Sequence, residues 1–207
     1  MKAIHGFFVA VLFACAAAPV LAGHAKSNVA CPVDTPYFDT EGPISFEEMF
    51  GADVLDNMRC NKRRSNVKMV MQVNASFDAK SRMYGFRNLP NIINDLEITH
   101  GVKKWEIAVV IHSGGYPFVL DPYAANPHPN AGLNNQVVNA PYPDENLTGA
   151  EVVEKLIGMG VDVYFCLNTA AALGITTDQI LPDVKYVPAG LSALVDFQYD
   201  GFKYVQP

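Results

Sequence analysis

Val161-Asp-Val-Tyr-Phe-Cys166-Leu-Asn168-Thr169-Ala-Ala-Ala-Leu-Gly174 is the stretch from which the rest of the chain can be read. Its first residues, rich in valine and aromatics, predict a buried strand, and the polar break Asn168-Thr169 before three alanines predicts the start of a helix. Cys166 therefore ends a strand at its carboxyl edge. Ligands bind at that edge in open α/β sheets, and the unpaired N–H groups of a nearby helix start favour a thiolate over a thiol. The competing reading is a small apolar residue that closes the strand and stays inert.

On either side, strand and helix patterns alternate. Val67-Lys-Met-Val-Met-Gln-Val73 is too apolar for a one-sided strand and predicts a parallel strand buried on both faces. Met83, Phe86, Leu89, Ile92, Ile93 and Leu96 recur at helical spacing, and Pro90 among them, costing about 3 kcal/mol in a helix interior, predicts a kink or restart near Leu89. Further strands are expected at 105–112, 184–187 and 202–205, and further helices at 148–158 and 190–198. The alternation from residue 67 onward predicts an α/β domain over 67–207: a mainly parallel sheet of about five strands in three layers, with helices on both faces.

His112 closes the second strand on the same edge as Cys166 and precedes Ser113-Gly114-Gly115-Tyr116, where the glycines let the backbone approach a ligand closely. Its charge changes near neutral pH, so beside Cys166 it would stabilise a thiolate; a histidine in this place also serves as plain hydrogen-bonded structure. The turn is too short for a phosphate-cradling or dinucleotide fingerprint. Residues 121–146 are rich in Asn and Pro and long for a loop, which marks them as functional or disordered and long enough to cover a cleft. His128 and Tyr142 are its most reactive side chains, read as solvated residues.

The N-terminus reads as an address. Lys2, the apolar run Phe7–Phe13 and the small-residue site Val20-Leu21-Ala22 predict a signal peptide over 1–22, with cleavage after Ala25 an alternative and acylation at Cys15 a minor one. The segment is too short to span a bilayer, and a periplasmic or secreted location is expected. The formal charge of −6 argues against a nucleic-acid surface.

Four cysteines occur, and loss of Cys15 with the signal leaves Cys31, Cys60 and Cys166. In an oxidising compartment we pair Cys31 with Cys60, a bridge worth about 3 kcal/mol in the chain-entropy picture, within an N-terminal extension over 23–66. That extension also carries a capping box, Ser45-Phe-Glu-Glu48, ahead of a helix expected over 46–58. No paired Cys or His spacing supports haem, zinc or a thioredoxin-type centre, so neither metal nor cofactor is expected.

Together the strand Val67–Val73, the turn at His112-x-Gly114, Gly160-Val161 leading to Phe165-Cys166-x-Asn168-Thr169, Leu173-Gly174-Ile175, Leu181-Pro182-x-Val184, Val187-Pro188-x-Gly190 and Gly201-Phe202-x-Tyr204 resemble the DsrE/DsrF-like family, in an exported form. The resemblance implies a flavodoxin-like or Rossmann-like layered sheet, a homo-oligomer, and, in the sulfur-relay branch, a cysteine that carries persulfide sulfur, here Cys166, between a donor and an acceptor protein or small sulfur compound. The extension and the 121–146 loop depart from the family pattern, and a loop of that length is able to block docking of the usual partners.

Three functions follow. The first is a sulfur carrier in which Cys166 is the nucleophile, helped by Asn168, Thr169 and His112. The second is a binding module using His112, Gly114, Gly115 and Asn168 for a small ligand. The third is an oligomeric scaffold with an inert Cys166.

Overall fold

In the computed structural model, which describes residues 29–30, 34–36, 43–45, 51, 53, 61–62, 64–77, 83, 85–99, 101–138 and 145–206, five strands build one sheet. They are β1 (Asn66–Val73), β2 (Lys104–Ile111), β3 (Asp162–Cys166), β4 (Lys185–Val187) and β5 (Lys203–Val205). The order across the sheet is β4-β3-β2-β1-β5, and every neighbouring pair is parallel. A sheet with no antiparallel member needs a crossover after each strand, which the helical segments provide: α1 (Leu89–Asn94), α2 (Gly149–Gly158), α3 (Leu167–Leu173) and α4 (Gly190–Tyr199).

Side chains alternate across the sheet plane. Met69, Met71, Val73, Ile107, Val109, Ile111, Val163 and Phe165 enter the larger core with Leu89 and Ile93 of α1, Val152, Val153 and Leu156 of α2, and Ala170 of α3. Val70, Ala108 and Val110 face the other way, against Ala193 and Leu194 of α4 and the half-buried Phe197. The asymmetry follows from the strand order. Three connections step from β1 toward β4, whereas the last returns past β1 to β5; with right-handed crossovers, a step in the opposite direction lies on the opposite face.

Pro90 acts as its sequence position implies. A 3-10 turn over Phe86–Asn88 ends where α1 restarts at Leu89, so the proline lies in the first turn, where no hydrogen bond from its nitrogen is needed. The helix at 149–158 opens with a reciprocal cap: Thr148 Oγ1 accepts from the Glu151 N–H at 3.3 Å while the Glu151 carboxylate accepts from the Thr148 N–H at 2.7 Å.

Of the 121–146 stretch, residues 121–138 and 145–146 are described. This part is packed rather than free: Ala131, Asn134 and Val138 are buried. Asn134 Nδ2 donates to the carbonyls of Phe118 (3.2 Å) and Leu120 (2.9 Å), and Gln179 Nε2 donates to the Asn126 carbonyl at 3.0 Å. His128 is half-buried, its ring edge-on to Tyr116 at 6.1 Å. Tyr142 lies outside the described residues, as do Cys31, Cys60 and, apart from Gly51 and Asp53, the helix expected over 46–58. Ala30 and Asn61, the sequence neighbours of those two cysteines, are register partners in a short antiparallel pair.

Candidate functional site

Three adjacent strands each deliver one polar side chain to the α4 face at the sheet's carboxyl edge. Gln72 follows Val70 along β1. His112 continues β2 in extended backbone (φ −152°, ψ 175°) beyond Val110, and Cys166 follows Tyr164 on β3. Ile111 pairs with Phe165, so His112 and Cys166 come next in the same register. All three are buried, Cys166 with 4% of its surface exposed, and Cys166 is a free thiol.

The chain after β2 turns across the end of β1. A side-chain carbon on Gly115 would stand 2.5 Å from the Val73 carbonyl oxygen, and one on Gly114 would stand 2.8 Å from that of Asn74. These two glycines therefore serve close backbone packing; Gly114 also lines the cavity, while Gly115 is buried and does not line it. The packing holds Ser113 in the left-handed region (φ 47°) at the start of a 3-10 segment, Ser113–Val119.

Cys166 is the N-cap of α3, and its sulfur also meets the start of α4: the Gly190 N–H donates to Sγ at 3.2 Å. Burial pushes the thiol pKa up, but hydrogen bonds to sulfur from the Thr169 hydroxyl and from the backbone N–H groups of Thr169, Gly190 and Asn168 outweigh it. The pKa lies below its ordinary value. The Asn168 N–H also reaches the Pro188 carbonyl at 3.2 Å, which ties the β4–α4 connection to α3.

Both ring nitrogens of His112 are engaged elsewhere. Nε2 lies 2.7 Å from Gln72 Nε2, and Nδ1 lies 2.9 Å from Ser113 Oγ. Burial holds the His112 pKa below its ordinary value, so the ring is neutral at pH 7. Its link to the sulfur is indirect, through the Ser113 N–H, which donates to Thr169 Oγ1 at 3.0 Å. Gly190 lies against the other side of the ring; a side-chain carbon there would be 3.0–3.1 Å from His112 atoms.

Cys166 borders a cavity of about 530 Å³ lined also by the polar side chains of His112, Ser113 and Thr169 and the apolar ones of Ala172, Leu173, Ala189 and Leu191. Asn168 and Tyr116 line it too, and Tyr116 accepts a hydrogen bond from Asn130 of the packed loop. Among the described residues no Lys, Arg, Asp or Glu lines it, and N–H and O–H dipoles meet the charge on a thiolate. Among the described residues no group of three or more His, Cys, Asp or Glu is placed to hold a metal ion, and no helix is long and apolar enough to cross a membrane.

Of the residues expected at the site from the sequence, His112, Gly114, Cys166, Asn168 and Thr169 line this cavity and Gly115 is buried without lining it, while Cys31 and Cys60 lie outside the described residues. Gln72, Ser113, Gly190 and Tyr204, whose hydroxyl donates to Gln72 Oε1, are additions. Gln72 had a signal, as an uncharged polar residue inside an apolar strand. Gly190 had one only as the opening of a helix.

An all-parallel α/β domain with a hydrogen-bonded cysteine at its carboxyl edge is the class of protein these features define. A sequence model of the DsrE/DsrF-like family matches residues 68–207, and the chain belongs to that family. Among solved structures it is similar to the protein of unknown function MTH1491 from Methanobacterium thermoautotrophicum, with 23% identity, a TM-score of 0.44, and coverage of 70% of this chain and 100% of that one. It is also similar to the ychN protein from E. coli, with 13% identity, a TM-score of 0.43, and coverage of 68% and 99%. No curated protein matches the chain.

Proposed function

We propose that the protein carries sulfane sulfur as a persulfide on Cys166. The observation that supports this most directly is the sulfur's environment: a buried thiol with lowered pKa, receiving the Gly190 N–H at 3.2 Å, in a residue that lines an open cavity. A thiolate is the form that attacks sulfur. The Cys166 thiolate attacks the outer sulfur of a donor persulfide, R–S–SH; a new S–S bond forms, the donor's S–S bond breaks, and R–S⁻ leaves. Discharge repeats the exchange with an acceptor thiolate attacking the outer sulfur held on Cys166. Neither step needs an external oxidant or reductant.

The test is intact-mass measurement after exposure to a sulfane-sulfur donor. The expected result is a gain of one sulfur atom mapped to Cys166 and lost in Cys166→Ser. A protein that takes up no sulfur at Cys166, or whose Cys166→Ser form is labelled equally, would refute the carrier reading.

The apolar wall of Ala172, Leu173, Ala189 and Leu191 favours a second reading, non-covalent binding of a small ligand. Ligand affinity that survives Cys166→Ser and fails in His112→Ala would select it. The protein is further read as exported after loss of residues 1–22, with a Cys31–Cys60 bridge, and as a homo-oligomer. Support for the oligomer comes from α4, where Leu191, Val195 and Tyr199, spaced four apart on one helix face, are 65%, 50% and 87% exposed. Sedimentation of the mature chain, with and without Val195→Lys, tests the assembly: a monomer in both would remove it.

A further inference from the structure

We propose that Ser113 is the cavity's hydrogen donor to the anionic sulfur being transferred, and that Tyr204, on the far edge strand, is a positioning residue that sets the direction of the Ser113 hydroxyl through Gln72 and His112. The inference deepens the sulfur-carrier reading and rests on it for the identity of the anion.

The argument is one of donors and acceptors. Tyr204 donates its hydroxyl hydrogen to Gln72 Oε1. That fixes the other end of the amide, Nε2, toward His112 Nε2 at 2.7 Å; Gln72 Nε2 can only donate, so His112 Nε2 must be the bare, accepting nitrogen. A neutral imidazole then carries its hydrogen on Nδ1 and donates it to Ser113 Oγ at 2.9 Å. With a lone pair of Oγ so occupied, the Ser113 hydroxyl hydrogen is free for the cavity that Ser113 lines. Turning the Gln72 amide over would reverse every arrow: His112 would hold its hydrogen on Nε2, and Ser113 would spend its own on Nδ1. Gln206 Oε1, 3.3 Å from the Tyr204 oxygen, offers a competing acceptor, so it is the bond to Gln72 that sets the sense.

Two further observations point to Ser113. The described residues other than glycine with positive φ are Ser113, Asn146 and Asp183; Asn and Asp tolerate that region, whereas serine does not favour it, so the conformation at Ser113 is held by its surroundings. A persulfide sulfur is an anion at neutral pH, and among the described residues no cationic side chain lines this cavity. Of the aliphatic hydroxyls that line it, that of Thr169 is already directed at Cys166, which leaves Ser113; the third lining hydroxyl, the Tyr116 phenol, is engaged with Asn130 of the packed loop. Around the sulfur the cavity's other titratable groups are His112 and Tyr116, and the groups that contact His112 (Gln72, Ser113 and Gly190) are uncharged.

The experiment uses the full mature chain and does not depend on sulfur transfer. The rates at which iodoacetate and iodoacetamide alkylate Cys166 are compared at one pH by peptide mapping; their ratio reads the preference for an anion and cancels changes in thiolate fraction. The ratio is expected to fall about tenfold in Ser113→Ala, the size of one hydrogen bond to a charged group, to fall in the same direction in Tyr204→Phe, and to be retained in Ser113→Thr. Imidazole 15N shifts are expected to show His112 protonated on Nδ1 in the parent protein and partly on Nε2 in Tyr204→Phe. A ratio indifferent to both Ser113→Ala and Tyr204→Phe, or a His112 with its proton on Nε2 throughout, overturns the proposal. Persulfide loading of Cys166 is scored separately, so that failure of the carrier reading and failure of this one are told apart.

Discussion

The Gly190 N–H donates to Cys166 Sγ at 3.2 Å across 24 residues of chain, so the first residue of α4 caps the sulfur at the end of β3. Two consequences follow from one contact. The crossover that covers the second face of the sheet also contributes to the electrostatics of the thiol, and the residue making the contact must be small, because a side-chain carbon there would stand 3.0–3.1 Å from His112 atoms.

The thiol therefore links stability to pH. Its folded pKa is depressed by the hydrogen bonds to Thr169, Gly190 and Asn168, which outweigh burial. Between that value and the unfolded value of about 8.5 the unfolded chain binds more protons, so stability rises with pH across the window. The contribution is complete above the unfolded pKa and is lost as pH falls through the folded one. Urea unfolding of the parent protein and of Cys166→Ala, compared from pH 6 to 9, should diverge with rising pH; parallel curves would contradict the depressed pKa.

Gly190→Ala should damage the site more than the fold. The added carbon would stand 3.0 Å from His112 Cβ and 3.1 Å from two ring atoms, so the ring or the start of α4 must shift. Overpacking of this kind costs about 1–3 kcal/mol. The shift also misaligns the N–H donated to Cys166, so alkylation of Cys166 below pH 8 should slow while that of the unfolded protein stays the same. A variant with parent stability and parent alkylation rate would show the contact to be slack.

Much of this architecture is legible in the sequence because it is local. The apolar runs at 67–73 and 105–111, the Asn168-Thr169 break and Pro90 act within a turn or a strand of their own positions, and periodicity reports such effects. The edge location of His112 and Cys166 follows from counting strands. The partners of those residues do not follow. Gln72 and His112 are 40 residues apart, Ser113 and Thr169 are 56 apart, and Gln72 and Tyr204 are 132 apart; each contact depends on which strands are neighbours and in what register. The neutral state of His112 was illegible for the same reason, since burial sets it and sequence position does not. The 121–138 stretch misleads because its Asn and Pro content looks solvated, while buried Asn134 helps to fasten it by bonding carbonyls near the end of the Ser113–Val119 segment.

Asn134→Leu should accordingly loosen that stretch. The substitution strips the Phe118 and Leu120 carbonyls of the donors they have at 3.2 and 2.9 Å, in a place where Asn134 itself is fully buried. Leaving buried acceptors unsatisfied costs about 1–3 kcal/mol each, so a loss of about 2–4 kcal/mol is expected. Hydrogen exchange should quicken at the amides of Ala131, Asn134 and Val138 and remain slow in β1 and β2. Unchanged protection there would mean the loop is held by something other than this side chain.

Gly115→Ala tests whether the turn after β2 is held by its glycines. A side-chain carbon at this position would stand 2.5 Å from the Val73 carbonyl oxygen and 3.1 Å from its carbonyl carbon, and neither backbone atom can rotate away as a flexible side chain would. The Val73 carbonyl also accepts the His112 N–H at 3.1 Å, so moving it disturbs the residue that carries the site's imidazole. A loss of about 3 kcal/mol is expected, at the upper end of overpacking costs. Gly132→Ala is the control, because nothing lies within 4 Å of the carbon it adds and its change should stay within about 0.5 kcal/mol. Chemical denaturation of both variants gives the answer: equal midpoints would show that the clash at residue 115 is relieved without cost, and the close crossing of β1 by the Ser113–Val119 segment would then have no part in holding His112 in place.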